Sequence, residues 1–192
     1  MKTRRPYSLG ARAASSEARQ RRILETVVEL LKTRFRSEIR LEDVAAGAGV
    51  TVQTVLNLFG SRSSLLDQAL AVWLGELRAT RLRADPGDVE GAIAALVDHY
   101  EQFGDLVLRN LAEQADLEVI ATGRAGHRQW VQRQFASHMG SLSEKARRTL
   151  VDKLVCVCDV YTWKLLRRDM SRSRPETEAT ILSMVKAIIG EA

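Results

Sequence analysis

The chain has 192 residues, 45% of them apolar and 28% charged, a balance that suits one or two globular domains and excludes a disordered tail or a fibrous repeat. Its formal charge of +5 is unevenly placed: residues 1 to 40 hold 11 Lys or Arg against Glu17, Glu25, Glu29 and Glu38, whereas residues 85 to 192 hold 14 against 16. A basic first third joined to a faintly acidic body favours nucleic acid over a membrane surface as the polyanionic partner.

Met1 to Tyr7 lead into small and polar residues without the apolar stretch of a signal peptide, and no later apolar run nears the roughly 20 residues that span a bilayer. A cytoplasmic protein with no membrane partner is expected. Cys156 and Cys158 lie two apart in a helical pattern and point away from each other, so neither a disulfide nor a shared metal is expected; both read as buried thiols.

Pro occurs only at 6, 86 and 175, and strand-like alternation is absent, so the chain reads as all-α. Ile23, Leu24, Val27, Val28, Leu30 and Leu31 predict an amphipathic helix from about 17 to 35 with a basic outer face. Residues 41 to 47 and 52 to 58 form two helices too short to stand alone in water. A longer one follows from Arg62 to Leu82 through Leu65, Leu66, Ala69, Leu70, Trp73 and Leu77, and Ala84-Asp85-Pro86-Gly87-Asp88 ends it. Helices are then expected over 88–103, 105–120, 125–139, 143–169 and 175–189, separated by Gly104, Thr122-Gly123, Gly140 and Ser171 to Pro175. Leu150, Leu154, Val157, Tyr161 and Leu165 give the fourth of these a wide apolar face, and Ile181, Met184, Val185, Ile188 and Ile189 the fifth. These faces either lie within the subunit or pair with a second copy, and the pattern alone does not choose.

Leu41 to Leu56 has the anatomy of a helix-turn-helix. Small residues let the two helices approach. Gly49 suits the left-handed conformation that ends the first, and Thr51 can cap the second by accepting a hydrogen bond from a backbone N–H near Thr54. Glu42 and Asp43 suit the positive end of the first helix. The second would enter a major groove with its N-terminal residues against base edges.

These residues resemble the DNA-binding domain of the tetracycline-repressor (TetR) family. The likeness runs from Arg22 to Leu66 through Arg22-Ile23-Leu24, Asp43-Val44-Ala45, Gly49-Val50-Thr51, Thr54-Val55-Leu56, Phe59-Gly60-Ser61-Arg62 and Leu65-Leu66. It implies a dimeric repressor of a palindromic double-stranded operator, released by a small-molecule effector. The implied layout is a basic arm over 1–15, a three-helix DNA-binding domain over 16–62, a connecting helix over 63–84, and an effector-binding and dimerisation bundle over 85–192. It places Val52, Gln53 and Thr54 against bases and Thr51, Leu56, Asn57 and Arg62 against phosphates. Three positions depart from the family pattern: Leu56 stands where a phosphate-gripping Tyr is usual, Leu58 where Tyr or His is usual, and Arg40 replaces a hydroxyl cap. Arg40 cannot cap, but it can reach a phosphate. Periodicity would bury Val52, Val55, Leu56 and Phe59 together, whereas the resemblance turns 52 and 56 towards DNA. Apolar side chains in the groove would meet thymine methyls, and Gln53 would meet adenine edges. Lys2, Arg4, Arg5, Arg12, Arg19, Arg21 and Arg22 would supply salt-sensitive affinity, although residues 1 to 15 read equally as a solubilising tail or as a minor-groove arm.

In the second bundle, Tyr100, Phe103, His127, Trp130, Val131, Gln134, Phe135, His138, Tyr161 and Trp163 have the composition of a mostly apolar pocket. Tyr100, Phe103, His127, Trp130, Gln134 and Tyr161 are the expected ligand contacts, and Leu150, Leu154, Tyr161, Ile181, Met184, Val185 and Ile188 the expected dimer interface. His127 and His138 are three helical turns apart, about 16 Å, and cannot hold one metal. No GK[ST] loop, HExxH or GxSxG occurs, and Gly47 to Val52 lacks the third Gly of a dinucleotide fingerprint. No enzyme activity and no cofactor are expected. The alternatives are a helical adaptor without DNA, or an architectural DNA binder whose second bundle is filled.

Overall fold

The computed structural model describes residues 8–113 and 117–190. Among these, all regular structure is helical. The chain divides into two compact units, Met1–Trp73 and Leu74–Ala192, so the break falls inside a helix.

The first unit holds α1 (Ser8–Leu31), α2 (Leu41–Ala48), α3 (Val52–Phe59) and the start of α4 (Arg62–Arg81). Helix α1 begins well before residue 17 because Ala11, Ala13 and Ala14 carry it on propensity alone, without an apolar face. Of the expected arm, Lys2, Arg4, Arg5 and the Arg12 side chain lie outside the described residues. The helix stops at Leu31 rather than 35, and Phe35 is extended (φ −68°, ψ 151°). Ile23, Val27 and Leu31 of α1 are buried with Val44 and Ala48 of α2, Val55 and Phe59 of α3, and Leu65 and Leu66 of α4. Helices α1 and α2 approach so closely at Gly47 that a Cβ there would stand 2.7 Å from Thr26 Cγ2.

The second unit holds the end of α4, then α5 (Val89–Glu113), α6 (Leu117–Gln134), α7 (Glu144–Val157), α8 (Val160–Lys164) and α9 (Arg174–Ile189). Gly104 does not end a helix. It lies inside α5, where a Cβ would stand 2.4 Å from the Trp163 ring; the glycine is there for close packing, not as a breaker. Thr122-Gly123 likewise lies inside α6. Conversely, the single helix expected over 143–169 is broken at Cys158-Asp159, because the Asp159 carboxylate accepts the Tyr161 N–H at 3.0 Å and starts α8 afresh. The chain then winds as a π-helix over Leu165–Asp169. Helix α9 opens with a capping box between Ser173 and Glu176 and has Pro175 in its first turn.

Trp163, Phe135, Leu96, Ile93, Leu154, Ile181 and Val185 form the core of this unit. Leu154, Ile181 and Val185, expected at a dimer interface, are buried in this core. Leu150, Met184 and Ile188 stay half-buried at its edge, and Tyr161 is 58% exposed. Cys158 is buried, its thiol pushed up to about 12 by burial, whereas Cys156, one residue before the end of α7, is exposed.

Candidate functional site

A candidate site lies in each unit. In the first, α2 ends as its sequence requires, with Gly49 left-handed (φ 66°, ψ 40°) and its N–H returning to the Ala45 and Ala46 carbonyls. Thr51 then caps α3, its Oγ1 accepting the Thr54 N–H at 3.2 Å and lying 2.9 Å from the Thr54 hydroxyl. Arg40 occupies the N-cap of α2 without a side-chain cap bond and is exposed.

Along α3, Val55 and Phe59 are buried while Val52 and Leu56 are half-buried, so the unit's core takes one apolar pair and leaves the other at the edge of the outer face. Gln53 and Asn57, one turn apart, are exposed and joined by a 2.8 Å bond from Gln53 Nε2 to Asn57 Oδ1. That leaves Gln53 Oε1 and its second N–H for a partner, the pair of groups that an adenine edge engages. Helix α3 carries no charge, and the cations of this unit lie on other segments. Arg19, Arg22 and Arg40 are exposed and form no ion pair among the described residues; Arg21 stands 3.6 Å from Glu25, Arg34 binds Asp43, and Arg36 binds Asp67.

Arg62, expected at a phosphate, is bonded within the unit. Its Nε donates to the Ile39 carbonyl at 2.7 Å and its Nη2 to the Arg36 carbonyl, so the guanidinium ties down the segment that leads into α2.

The second site is a cavity of about 630 Å³ between the end of α4 and α6. Leu74, Leu82 and Trp130 supply apolar wall, Gly75, Gly123 and Gly126 supply bare backbone, and Arg78, Arg81, His127, Gln129 and Arg133 supply polar groups. Arg81 is 92% buried, with only 8% of its surface exposed. Its Nη1 lies 3.1 Å from His127 Nδ1, its Nη2 donates to the Tyr100 hydroxyl at 3.0 Å, and its guanidinium lies 5.3 Å from the Tyr100 ring centroid and 5.7 Å from that of Trp130. Tyr100 passes the chain on, donating to the Cys158 carbonyl at 2.9 Å. His127 stacks on Trp130 at 6.0 Å. Burial, then the Arg81 charge, lowers the His127 pKa to about 4, and the same two causes, with His127 third, hold His99 well below its usual value.

Of the six expected ligand contacts, His127 and Trp130 line this cavity. Tyr100 and Phe103 are buried in the core behind it, and Gln134 is a strap whose Nε2 donates to the Ala84 carbonyl at 3.1 Å. Tyr161 is exposed, because α8 turns it outwards.

With both geometries in hand, comparison with known proteins is informative. No family model matches the chain. The crystal structure of a TetR-family transcriptional regulator from Streptomyces coelicolor superposes on 90% of this chain and 80% of its own, with a TM-score of 0.72 at 15% identity. The chain has the TetR-family fold. Over 60 residues it is also 42% identical to the HTH-type transcriptional regulator AlkX of Mycobacterium tuberculosis, a match that covers 31% of this chain and 26% of that relative. The chain thus spans about a quarter of the length of the curated relative it matches.

Within this TetR fold the residue that sequence reasoning missed is Arg81. A signal was present: Leu70, Trp73, Leu77 and position 81 fall at i, i+3, i+7 and i+11, so the apolar stripe of α4 runs directly onto an arginine. A charge on a buried stripe calls for a partner, and that partner was the thing to seek.

Proposed function

We propose that this protein is a homodimeric transcriptional repressor that binds a palindromic operator through α3 and is released by a small-molecule effector held between α4 and α6. The observation that carries the DNA-binding half is the α2-turn-α3 geometry: a left-handed Gly49, a Thr51 cap and an exposed Gln53-Asn57 pair, with an exposed Arg40 at the N-terminus of α2. Gln53 and Val52 are the proposed base contacts. Thr51, Asn57 and Arg40 are the proposed phosphate contacts, together with the exposed arginines of α1. Thr54 contributes through the cap more than through DNA, its hydroxyl being turned to Thr51. Leu56, half-buried, offers an apolar surface to thymine methyls.

The cavity supports the effector half and counts against a purely architectural DNA binder, whose second bundle would be filled. Helix α4 contributes Leu65 and Leu66 to the core of the first unit and Leu74, Arg78 and Arg81 to the cavity wall of the second. An effector with unequal affinity for two dispositions of that helix shifts their populations. Two recognition helices spaced about 34 to 36 Å apart match successive major grooves, and the other disposition releases the operator. For the dimer, Leu150, Met184, Ile188 and Tyr161 are the proposed contacts that remain available at the surface.

The test is selection of bound duplexes from a random pool at near-physiological salt, followed by titration of the winner. A palindromic consensus bound by two subunits supports the reading. Failure to enrich any sequence removes it.

A further inference from the structure

We infer that the α4-α6 cavity is built for an organic carboxylate with an apolar body. The inference deepens the effector reading above and depends on it only for the consequence of binding, not for the binding itself.

Arg81 carries a charge into the wall of the cavity. The residue is 92% buried, and among the described residues no carboxylate pairs with it. Both described hydrogen-bond partners, His127 and Tyr100, are neutral, and its Nε is buried with no partner at all. Among the described residues, Asp159 is the acid whose charge reaches His127 and Tyr100; it forms no ion pair with Arg81, and its Oδ1 caps α8. A buried cation without a counterion is costly, and breaking a buried pair by removing its anion is the more destabilising case. The arrangement is therefore that of half a pair, with the other half arriving from outside. Arg78 and Arg133 are exposed on the same cavity wall, and none of the described residues lining it is acidic. The lining charges, Arg78, Arg81 and Arg133, all favour an anion.

The remaining wall decides what the anion is attached to. Leu74, Leu82, Ala125 and the face of Trp130 are apolar. Gly123 and Gly126 stand in the interior of α6, and Gly75 in that of α4; a Cβ on any of the three would meet nothing within 4 Å. Helix interiors disfavour glycine by about 1 kcal/mol relative to Ala. Three such positions bordering one space keep that space open for something apolar. Its volume suits a ligand larger than a bare inorganic anion.

The test is calorimetric titration of the full chain, without DNA, using octanoate and 4-phenylbutyrate, their uncharged partners octanamide and 4-phenylbutyramide, and inorganic phosphate. Each acid is expected to bind about tenfold or more tightly than its amide, since a charge-assisted hydrogen bond is replaced by a neutral one. Arg81→Met is expected to abolish that preference. Should it fail to fold, the double variant Arg78→Gln/Arg133→Gln, at exposed positions, is expected to reduce the preference at least threefold. Gly126→Leu is expected to exclude acids and amides alike while the melting temperature holds. Equal binding of acid and amide overturns the inference, as does binding of none of the organic probes, tighter binding of inorganic phosphate, or a preference that survives in the folded arginine variants. If acids bind with no change in operator affinity, the site stands and the effector reading of it fails.

Discussion

Arg81 Nη1 and His127 Nδ1 meet at 3.1 Å, and since a guanidinium only donates, the imidazole accepts there. Its other nitrogen, Nε2, stands 3.2 Å from the Val155 carbonyl, which only accepts, so the proton sits on Nε2. Neighbours on both sides thus specify one neutral tautomer. A second proton would have to enter at Nδ1, against the arginine.

This gives the protein an acid sensitivity with a defined sign. The folded-state pKa of His127 is about 4, below the unfolded value of 6.5, so between these the unfolded chain binds the extra proton and the native one does not. Stability therefore falls as pH drops from about 6.5 towards 4, by on the order of 3 kcal/mol for this residue. His99 is shifted the same way and adds to the slope. The check is the His127 imidazole resonance followed by NMR alongside thermal melts from pH 7.5 to 5. A ring that titrates near 6.5 would contradict the geometry.

The glycines of α6 predict a stabilising change. Gly123→Ala and Gly126→Ala place a methyl where nothing lies within 4 Å and remove the entropic penalty of glycine in a helix interior. Each is expected to add about 1 kcal/mol, a rise in Tm of about 2 to 4 °C by thermal melt. A fall in Tm would mean that the wall is already filled.

Arg62 and Arg40 should separate cleanly, although both are cations of the DNA-binding unit. Arg62→Ala removes the donors that hold the Arg36 and Ile39 carbonyls and is expected to cost about 1.5 to 3 kcal/mol per bond to the charged group, with loss of DNA affinity following from the loosened unit. Arg62→Lys should not restore it, since one ammonium does not reproduce the fork. Arg40→Ala is expected to leave Tm unchanged and to lower the salt slope of duplex binding by about 1. Melts paired with binding at several salt concentrations decide the matter, and unchanged Tm in Arg62→Ala would return that residue to the phosphates.

Gln53→Ala is expected to alter sequence preference more than overall affinity, by about 1 to 3 kcal/mol at one base pair. Comparison of the selected operator with a single-base variant and with random duplex reads this. Equal losses on all three would remove Gln53 from the base-reading set. Asn57→Ala tests the side-chain pair: with Nε2 released, Gln53 should read its base less strictly.

What the residues determined unaided is what depends on neighbours a few positions away. The left-handed Gly49, the Thr51 cap and the acidic first turn of α2 are all interactions within about five residues, and each stands in the structure as the sequence requires. So does the all-helical class among the described residues, because helix periodicity is local. Tertiary structure decided the rest. Gly104 reads as a breaker until Trp163, far along the chain, is laid across it. Leu154, Ile181 and Val185 read equally as core or interface until α5, α7 and α9 close on one another. Arg62 reaches carbonyls 23 and 26 residues away, and Arg81 finds His127 46 residues away. Long-range contacts are fixed by which helix faces meet, and a periodic pattern states only that a face will be covered, not by what. The buried charge that shapes the cavity is such a case: the stripe on α4 runs onto position 81, but only the packed helices bury it and give it two neutral neighbours and an open space.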